Sequence, residues 1–172
     1  ALEELAARGY GAFSIEAVAR RSGVAKSTIY RLWRTKIGVI SDAIEALNVQ
    51  PPPSPESDDP RARVELLVRH LAEAFIDSPV ARCLPALIEA AEHDPEVRAL
   101  HHDYTARRRQ ALRDALQEGI DQGAFPAHVD PDAACLALAG AVLYSRVMTP
   151  DPLRHEQVPA LVTTVLGPAP ES

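Results

Sequence analysis

The chain has 172 residues, 47% of them hydrophobic and 24% charged, with eight glycines, which excludes collagen-like, low-complexity and disordered classes and leaves ample length for a buried core. Its longest apolar runs, such as residues 133–144, fall short of the ~20 residues a membrane span needs, and two cysteines 52 positions apart, Cys83 and Cys135, argue against a disulfide framework or a zinc knuckle and for a reducing cytoplasm. The net charge of −6 conceals an asymmetry, because residues 1–48 carry seven basic and five acidic side chains while the remainder carries eleven and nineteen.

In chain order the sequence predicts helices throughout. The chain opens at Ala1 without a Met or a basic-then-apolar leader, so its first helix reads as truncated, its tail ending near Arg8 with Gly9 and Gly11 as stops. Ser14 is placed to cap a second helix over residues 15–22, which Gly23 ends. A third follows over 26–33, and Thr35 caps a fourth over 36–47. Residues 50–60 hold five prolines, which regular helix does not tolerate, so 49–60 reads as a linker between a domain over 1–48 and a body over 61–172. Beyond it, Val64, Leu67, Val68, Leu71 and Phe75 form an amphipathic stripe, and a helix over about 80–93 is interrupted or kinked by Pro85. Pro95 opens one long helix that closes before Gly123. Asp130-Pro131 starts a very apolar helix to about Met148, and Pro150 and Pro152 separate it from a last one carrying Val158, Leu161, Val162, Val165 and Leu166. The class is all-α.

Residues 15–32 have the spacing of a helix-turn-helix. Val18 faces the core, Ala19 is small where the next helix crosses, Gly23 supplies the positive φ of a tight turn, and Val24 and Ile29 anchor the second helix against the first. That assignment leaves Lys26, Ser27, Thr28, Tyr30, Arg31 and Arg34 on or near outward faces. Residues 17–41 hold six basic side chains and no acidic one, and both lysines of the chain, Lys26 and Lys36, fall among them. Cations and hydrogen-bond donors so arranged suit phosphates and base edges in a major groove. The alternative is an α-hairpin with an incidentally basic, solvated face.

Phe13-Ser-Ile-Glu-Ala-Val-Ala-Arg-Arg-Ser-Gly-Val-Ala-Lys-Ser-Thr-Ile-Tyr-Arg-Leu-Trp-Arg-Thr-Lys36 closely resembles the DNA-binding region of the tetracycline-repressor (TetR) family of bacterial transcriptional regulators. Ala90-Ala-Glu-His-Asp-Pro-Glu-Val-Arg98 and the long helix after it resemble one C-terminal type of that family. The resemblance implies an N-terminal three-helix DNA-binding domain and a C-terminal helical bundle for effector binding and dimerisation. It further implies a homodimer that grips a pseudo-palindromic operator and represses a promoter until a small molecule in the body releases it. By the same resemblance Thr28 and Tyr30 belong to the core of the recognition helix with Tyr30 at a phosphate, Lys36 meets the backbone, Trp33 wedges the recognition helix against the next, and Lys26 and Ser27 stand where base contacts vary. Ser14 fits a capping hydroxyl that touches phosphate. Two positions depart: Ala25 stands where a Ser or Thr cap is common, and Leu32 where Arg or His is, leaving Leu32 to meet a thymine methyl or simply to pack.

In the body, His101, Tyr104 and Arg108 interrupt an inward stripe of the long helix and suit an anionic or carbonyl-bearing ligand. The plainer reading has Arg108 reaching solvent or an acid while His101 and Tyr104 bridge within the core. The helix over 132–148 is apolar nearly all round and needs burial on two sides. Ala133, Ala137, Gly140 and Ala141 permit close approach of another helix, and Leu161, Val162 and Val165 of the last helix add a stripe, so the pair forms half of a four-helix bundle completed by a second copy, unless it is the buried centre of a monomer.

Enzyme readings fare worse. Glu89 and His93 are the only clean four-apart pair of the cluster Glu89, Glu92, His93, His101, His102 and Asp103, and adjacent histidines on a helix do not share a face, so neither a metal nor another cofactor is expected. No catalytic residue, Gly-rich phosphate loop or G-x-S-x-G motif is found. A non-enzymatic alternative keeps the helix-turn-helix but has the acidic body bind a protein partner. Sixteen arginines against two lysines, with abundant Ala and Pro, suggest a GC-rich bacterial genome, and the expected location is the cytoplasm, at the nucleoid.

Overall fold

Short polar side chains just ahead of apolar stripes start most of the helices. In the computed structural model, which describes residues 1–46 and 58–168, these are α1 (Leu2–Ala12), α2 (Ile15–Ser22), α3 (Lys26–Leu32), α4 (Lys36–Glu45), α5 (Pro60–Asp77), α6 (Pro79–His93), α7 (Pro95–Asp121), α8 (Pro131–Met148) and α9 (Val158–Leu166), with a 3-10 turn at His155–Gln157. No strand occurs among the described residues, and no described helix is long and apolar enough to cross a membrane. The hydroxyls of Ser14, Thr35 and Ser78 accept from the backbone N–H of Ala17, Gly38 and Ala81 at 3.2, 3.2 and 3.1 Å, and Asp130 accepts from Ala133 at 2.7 Å. Four helices open on proline, at Pro60, Pro79, Pro95 and Pro131, where the missing N–H has no partner to lose. Most of the proline-rich stretch expected as a linker lies outside the described residues.

Packing divides the chain into two units. The first joins Ala1–Val49 to Asp77–Thr105, and α1 lies along α6 within it. Its core gathers Leu5, Phe13, Val18, Ile29, Ile40 and Ile44 with Cys83, Leu87, Val97 and Tyr104. Glu4 is the one buried charged residue described, 5% exposed; Arg8 lies 3.0 Å away and Arg21, which also binds Glu3 at 2.9 Å, lies 3.8 Å away, so α1 is tied to α2. The second unit joins Gln50–Ile76 to Ala106–Ser172, with Val64, Val68, Leu112, Leu116, Phe125, Leu138, Val142, Val158, Val162 and Leu166 in its core.

The structure qualifies two sequence expectations and overturns a third. The first helical stretch runs on to Ala12, yet its geometry breaks at Gly9, whose φ of 71° and ψ of 171° take the glycine out of the helix while Gly11 lies inside the continuing turn. Pro85 lies within α6, which runs on to His93. Val24, expected as an anchor, is 43% exposed, because the turn is closed by Ser22, whose hydroxyl donates to Ala19 O and accepts from Val24 N–H.

Candidate nucleic-acid interface

The helix-turn-helix is built from α2, the turn at Gly23 and α3. Ser14 caps α2 at one end and Gly23, with φ 72°, closes it at the other, its N–H bonding Ala19 O; Arg20 and Arg21 sit where the helix dipole favours cations. Ile15, Ala17, Val18 and Ala19 turn inward. On α3 a single side chain, Ile29, is buried, at 3% exposure. Lys26, Ser27, Tyr30, Arg31 and Leu32 are exposed and Thr28 is half-buried, so nearly the whole surface of this helix is available to a partner. Ala25 gives α3 no side-chain cap, in line with the sequence expectation. Leu32 is 60% exposed and does not pack into the core.

Residues just beyond α3 fix its orientation. Trp33 packs half-buried against the first unit's core and its Nε1 donates to Asp42 Oδ2 of α4 at 2.6 Å. Gly38 lies beside that indole, and a Cβ there would stand in ordinary contact with it, 3.6 Å from Trp33 Cδ1. Lys36, the first residue of α4, holds its Nζ 3.8 Å from the centroid of the Tyr10 ring and 3.5 Å from Tyr10 O, while Arg34 is exposed. Tyr10 in turn donates through its hydroxyl to Asp94 Oδ2 at 3.1 Å. Asp94 also caps α7, accepting from the N–H groups of Glu96 and Val97 at 3.0 and 3.4 Å. Burial foremost, and then the bond to Asp94, pushes the Tyr10 hydroxyl up to about 12. Burial works against ionisation of Asp94, but the backbone donors and Tyr10 outweigh it and hold its carboxyl below the usual range.

Sequence reasoning misses Glu16. Its Oε1 lies 2.6 Å from Lys26 Nζ and accepts the Tyr30 hydroxyl at 3.0 Å, so two of the expected DNA contacts meet on one carboxylate oxygen. The Lys26 hydrogen bond foremost, then a backbone hydrogen bond and Tyr30, hold the Glu16 carboxyl down at about 2, and the same contact raises Lys26 and Tyr30. Glu16 stands immediately before the acid-free window of residues 17–41, which is the trace it leaves in the sequence.

Elsewhere the expected site residues are distributed over both units. In the first unit His101 is half-buried and Tyr104 is 8% exposed in the core; Arg108, half-buried, belongs to the second. A cleft of about 650 Å³ in the second unit is lined by Asp58, Arg63, Glu65, Arg69, Glu118 and neighbours, whose charges pair as Arg63–Glu118 and Arg69–Glu65. On α8, Ala134, Cys135, Leu138 and Val142 face inward, while Ala133, Leu136, Ala137, Gly140, Leu143, Tyr144, Val147 and Met148 form an exposed face, with Ala141 half-buried at its edge. On α9, Leu161 and Val165 are half-buried beside the buried Val158, Val162 and Leu166.

Comparison with known proteins bears on this geometry directly. Residues 1–42 match the model of bacterial regulatory proteins of the tetR family, and residues 54–165 match a tetracyclin repressor-like C-terminal domain. The structure of the TetR family transcription regulator SCO0332 is 30% identical, with a TM-score of 0.71 over 98% of this chain and 94% of that one. The HTH-type transcriptional regulator YdeS of Bacillus subtilis (strain 168) is 27% identical across 94% of this chain and 82% of its own length. AibR, solved with isovaleryl coenzyme A and operator DNA, is 18% identical and shares the fold, with a TM-score of 0.64 over 97% of this chain and 95% of that one. A basic helix displayed from one buried anchor, followed by an all-helical body that the second model covers, thus has one assignment: the chain belongs to the TetR family of helix-turn-helix, DNA-binding transcriptional regulators.

Proposed function

We propose that this regulator is a repressor that binds a pseudo-palindromic operator as a homodimer and leaves it when a small molecule binds the body. The observation that carries the reading is the outward surface of α3, where Lys26, Ser27, Tyr30 and Arg31 are exposed around the single buried Ile29. A helix so displayed enters a major groove with little rearrangement, and Arg34, Lys36 and Ser14 flank it for phosphate contact. Dimerisation is supported by the exposed apolar face of α8, on which Leu136, Leu143, Tyr144, Val147 and Met148 are 37–66% exposed. Ala137 and Ala141, with Leu161 and Val165 of α9, take the contact positions in that reading. Effector contact is assigned to side chains of α7, with His101 and Tyr104 the candidates within the first unit and Arg108 the candidate within the second. That AibR, of the same fold, was solved with an acyl-coenzyme A and operator DNA supports a body that takes a small ligand. The reading places the protein in the cytoplasm, at the nucleoid, and gives no residue a catalytic step.

The test is fluorescence anisotropy on a duplex enriched from a random library by the wild-type protein, across a salt series. Two protomers per duplex are expected, with tight binding that weakens as salt rises. Arg34→Ala and Lys36→Ala should each lower affinity on all sequences alike and reduce the salt slope by about one. Failure to enrich any sequence would refute the reading.

A further inference from the structure

The cations of the reading helix are not simply displayed. Glu16 projects from the first turn of α2, and one of its oxygens, Oε1, receives both Lys26 Nζ at 2.6 Å and the Tyr30 hydroxyl at 3.0 Å. Lys26 Nζ also lies 5.5 Å from the centroid of the Tyr30 ring, so each of the three side chains contacts the other two. The group stands in solvent: the side chains of Lys26 and Glu16 are 56% and 46% exposed, and Tyr30 is 40% exposed. An ion pair this exposed contributes little to folding. Its consequence falls on whatever approaches the surface.

A duplex bound without regard to sequence is held by the phosphates that cations neutralise, each with release of condensed counterions. Lys26 engaged by Glu16 is one cation fewer for that purpose, and the carboxylate itself repels phosphate. A duplex read in its groove depends instead on where the ammonium and the phenol hydroxyl point. Resting on the operator-binding reading above, we propose that Glu16 is a positioning residue of the DNA interface. It fixes Lys26 and Tyr30 in one arrangement for the specific site and withholds Lys26 from random phosphate, so it sets the ratio of specific to non-specific binding rather than affinity as such. Glu16 stays ionised through the physiological range, its carboxyl lying near 2, so the restraint is permanent and not switched by pH.

Two variants separate position from charge. Glu16→Ala removes the acceptor and the charge, whereas Glu16→Gln keeps an acceptor oxygen for Tyr30 and Lys26 and removes only the charge. Each is measured by anisotropy on the wild-type-enriched duplex and on a random duplex of equal length across a salt series. Glu16→Ala is expected to bind the enriched duplex about tenfold more weakly and the random duplex several-fold more tightly, with a non-specific salt slope steeper by about one as Lys26 becomes free. Glu16→Gln should gain the same random-duplex affinity and slope while holding the enriched duplex within about threefold of wild type, because the aimed geometry survives. If either variant leaves the ratio of the two affinities at its wild-type value, whether both affinities move together or neither moves, the inference is overturned. A wild-type protein that enriches no sequence overturns the operator reading itself, and this inference with it.

Discussion

Gly140 offers the sharpest test of the quaternary reading. It lies on the exposed face of α8, and a Cβ built on it meets nothing within 4 Å, so within one protomer a larger side chain is accommodated without strain. Replacing a helical glycine by leucine should therefore stabilise the protomer by about 0.8 kcal/mol through helix propensity. In a symmetric dimer packed on this face the same side chain is a wedge. The five large apolar residues of the face are on average about half exposed, and finishing their burial contributes roughly 1 kcal/mol each, hence about 10 kcal/mol for two copies, against an association cost of about 4–15 kcal/mol. So narrow a margin survives only if the helices approach closely. Overpacking costs about 1–3 kcal/mol per insertion and occurs twice, so Gly140→Leu should weaken the dimer by about 2–6 kcal/mol, or some thirtyfold to more than ten-thousandfold. Sedimentation equilibrium gives the dissociation constant, and urea denaturation of the resulting monomer gives protomer stability. A Gly140→Leu protein that remains as tightly dimeric as wild type would refute an interface on this face, as would a wild type that is monomeric at tens of micromolar.

Three further outcomes are expected. Gly119→Ala should destabilise the fold by about 1–3 kcal/mol in denaturant despite the better helix former, because its Cβ would overlap the buried Phe125 ring; combined with Phe125→Leu the loss should be less than additive, and a neutral Gly119→Ala would contradict the contact. Tyr10→Phe should cost about 1–2 kcal/mol by removing the hydrogen bond to Asp94. Since the folded hydroxyl lies near 12, above its ordinary 10, Tyr10's contribution is full below pH 10 and is lost as pH rises through 12, so unfolding curves at high pH should converge for wild type and Tyr10→Phe. Cys83 and Cys135 should resist thiol reagents at pH 8 in the native protein and react after unfolding, since burial pushes the Cys83 thiol up to about 11 and raises Cys135 as well; rapid native labelling would contradict their burial.

How legible each feature is in the sequence depends on how local it is. Ser14, Gly23 and Thr35 act within a few residues of their own backbone, so the limits of α2 and the start of α4 can be read directly. The inward stripe of α5 is equally plain from its periodicity, whereas α8, apolar nearly all round, does not show in the sequence which of its faces turns inward. Features that depend on how two helices cross are not. Glu16 meets residues ten and fourteen positions away, and no periodicity relates an acid at the start of one helix to a lysine and a tyrosine on the next. The bonds Trp33–Asp42 and Tyr10–Asp94 are hidden for the same reason. Gly9 reads as a stop because glycine marks both helix ends and helix breaks, and only the backbone angles tell them apart. Val24 misleads because a β-branched residue after a turn glycine looks like core when the hydroxyl that closes the turn, Ser22, is not weighed.

The reading helix is fastened to the rest of the protein at very few points. Of its seven residues, Ile29 alone is buried, and Trp33 just beyond secures the end. Exposed positions of this kind change at a folding cost usually within about 0.5 kcal/mol, so Ser27, Arg31 and Leu32 can mutate without endangering the scaffold. Descendants of one ancestral gene could then drift to new DNA sequences by substitutions confined to a single turn or two of helix, while the rest of the chain evolves under separate constraints.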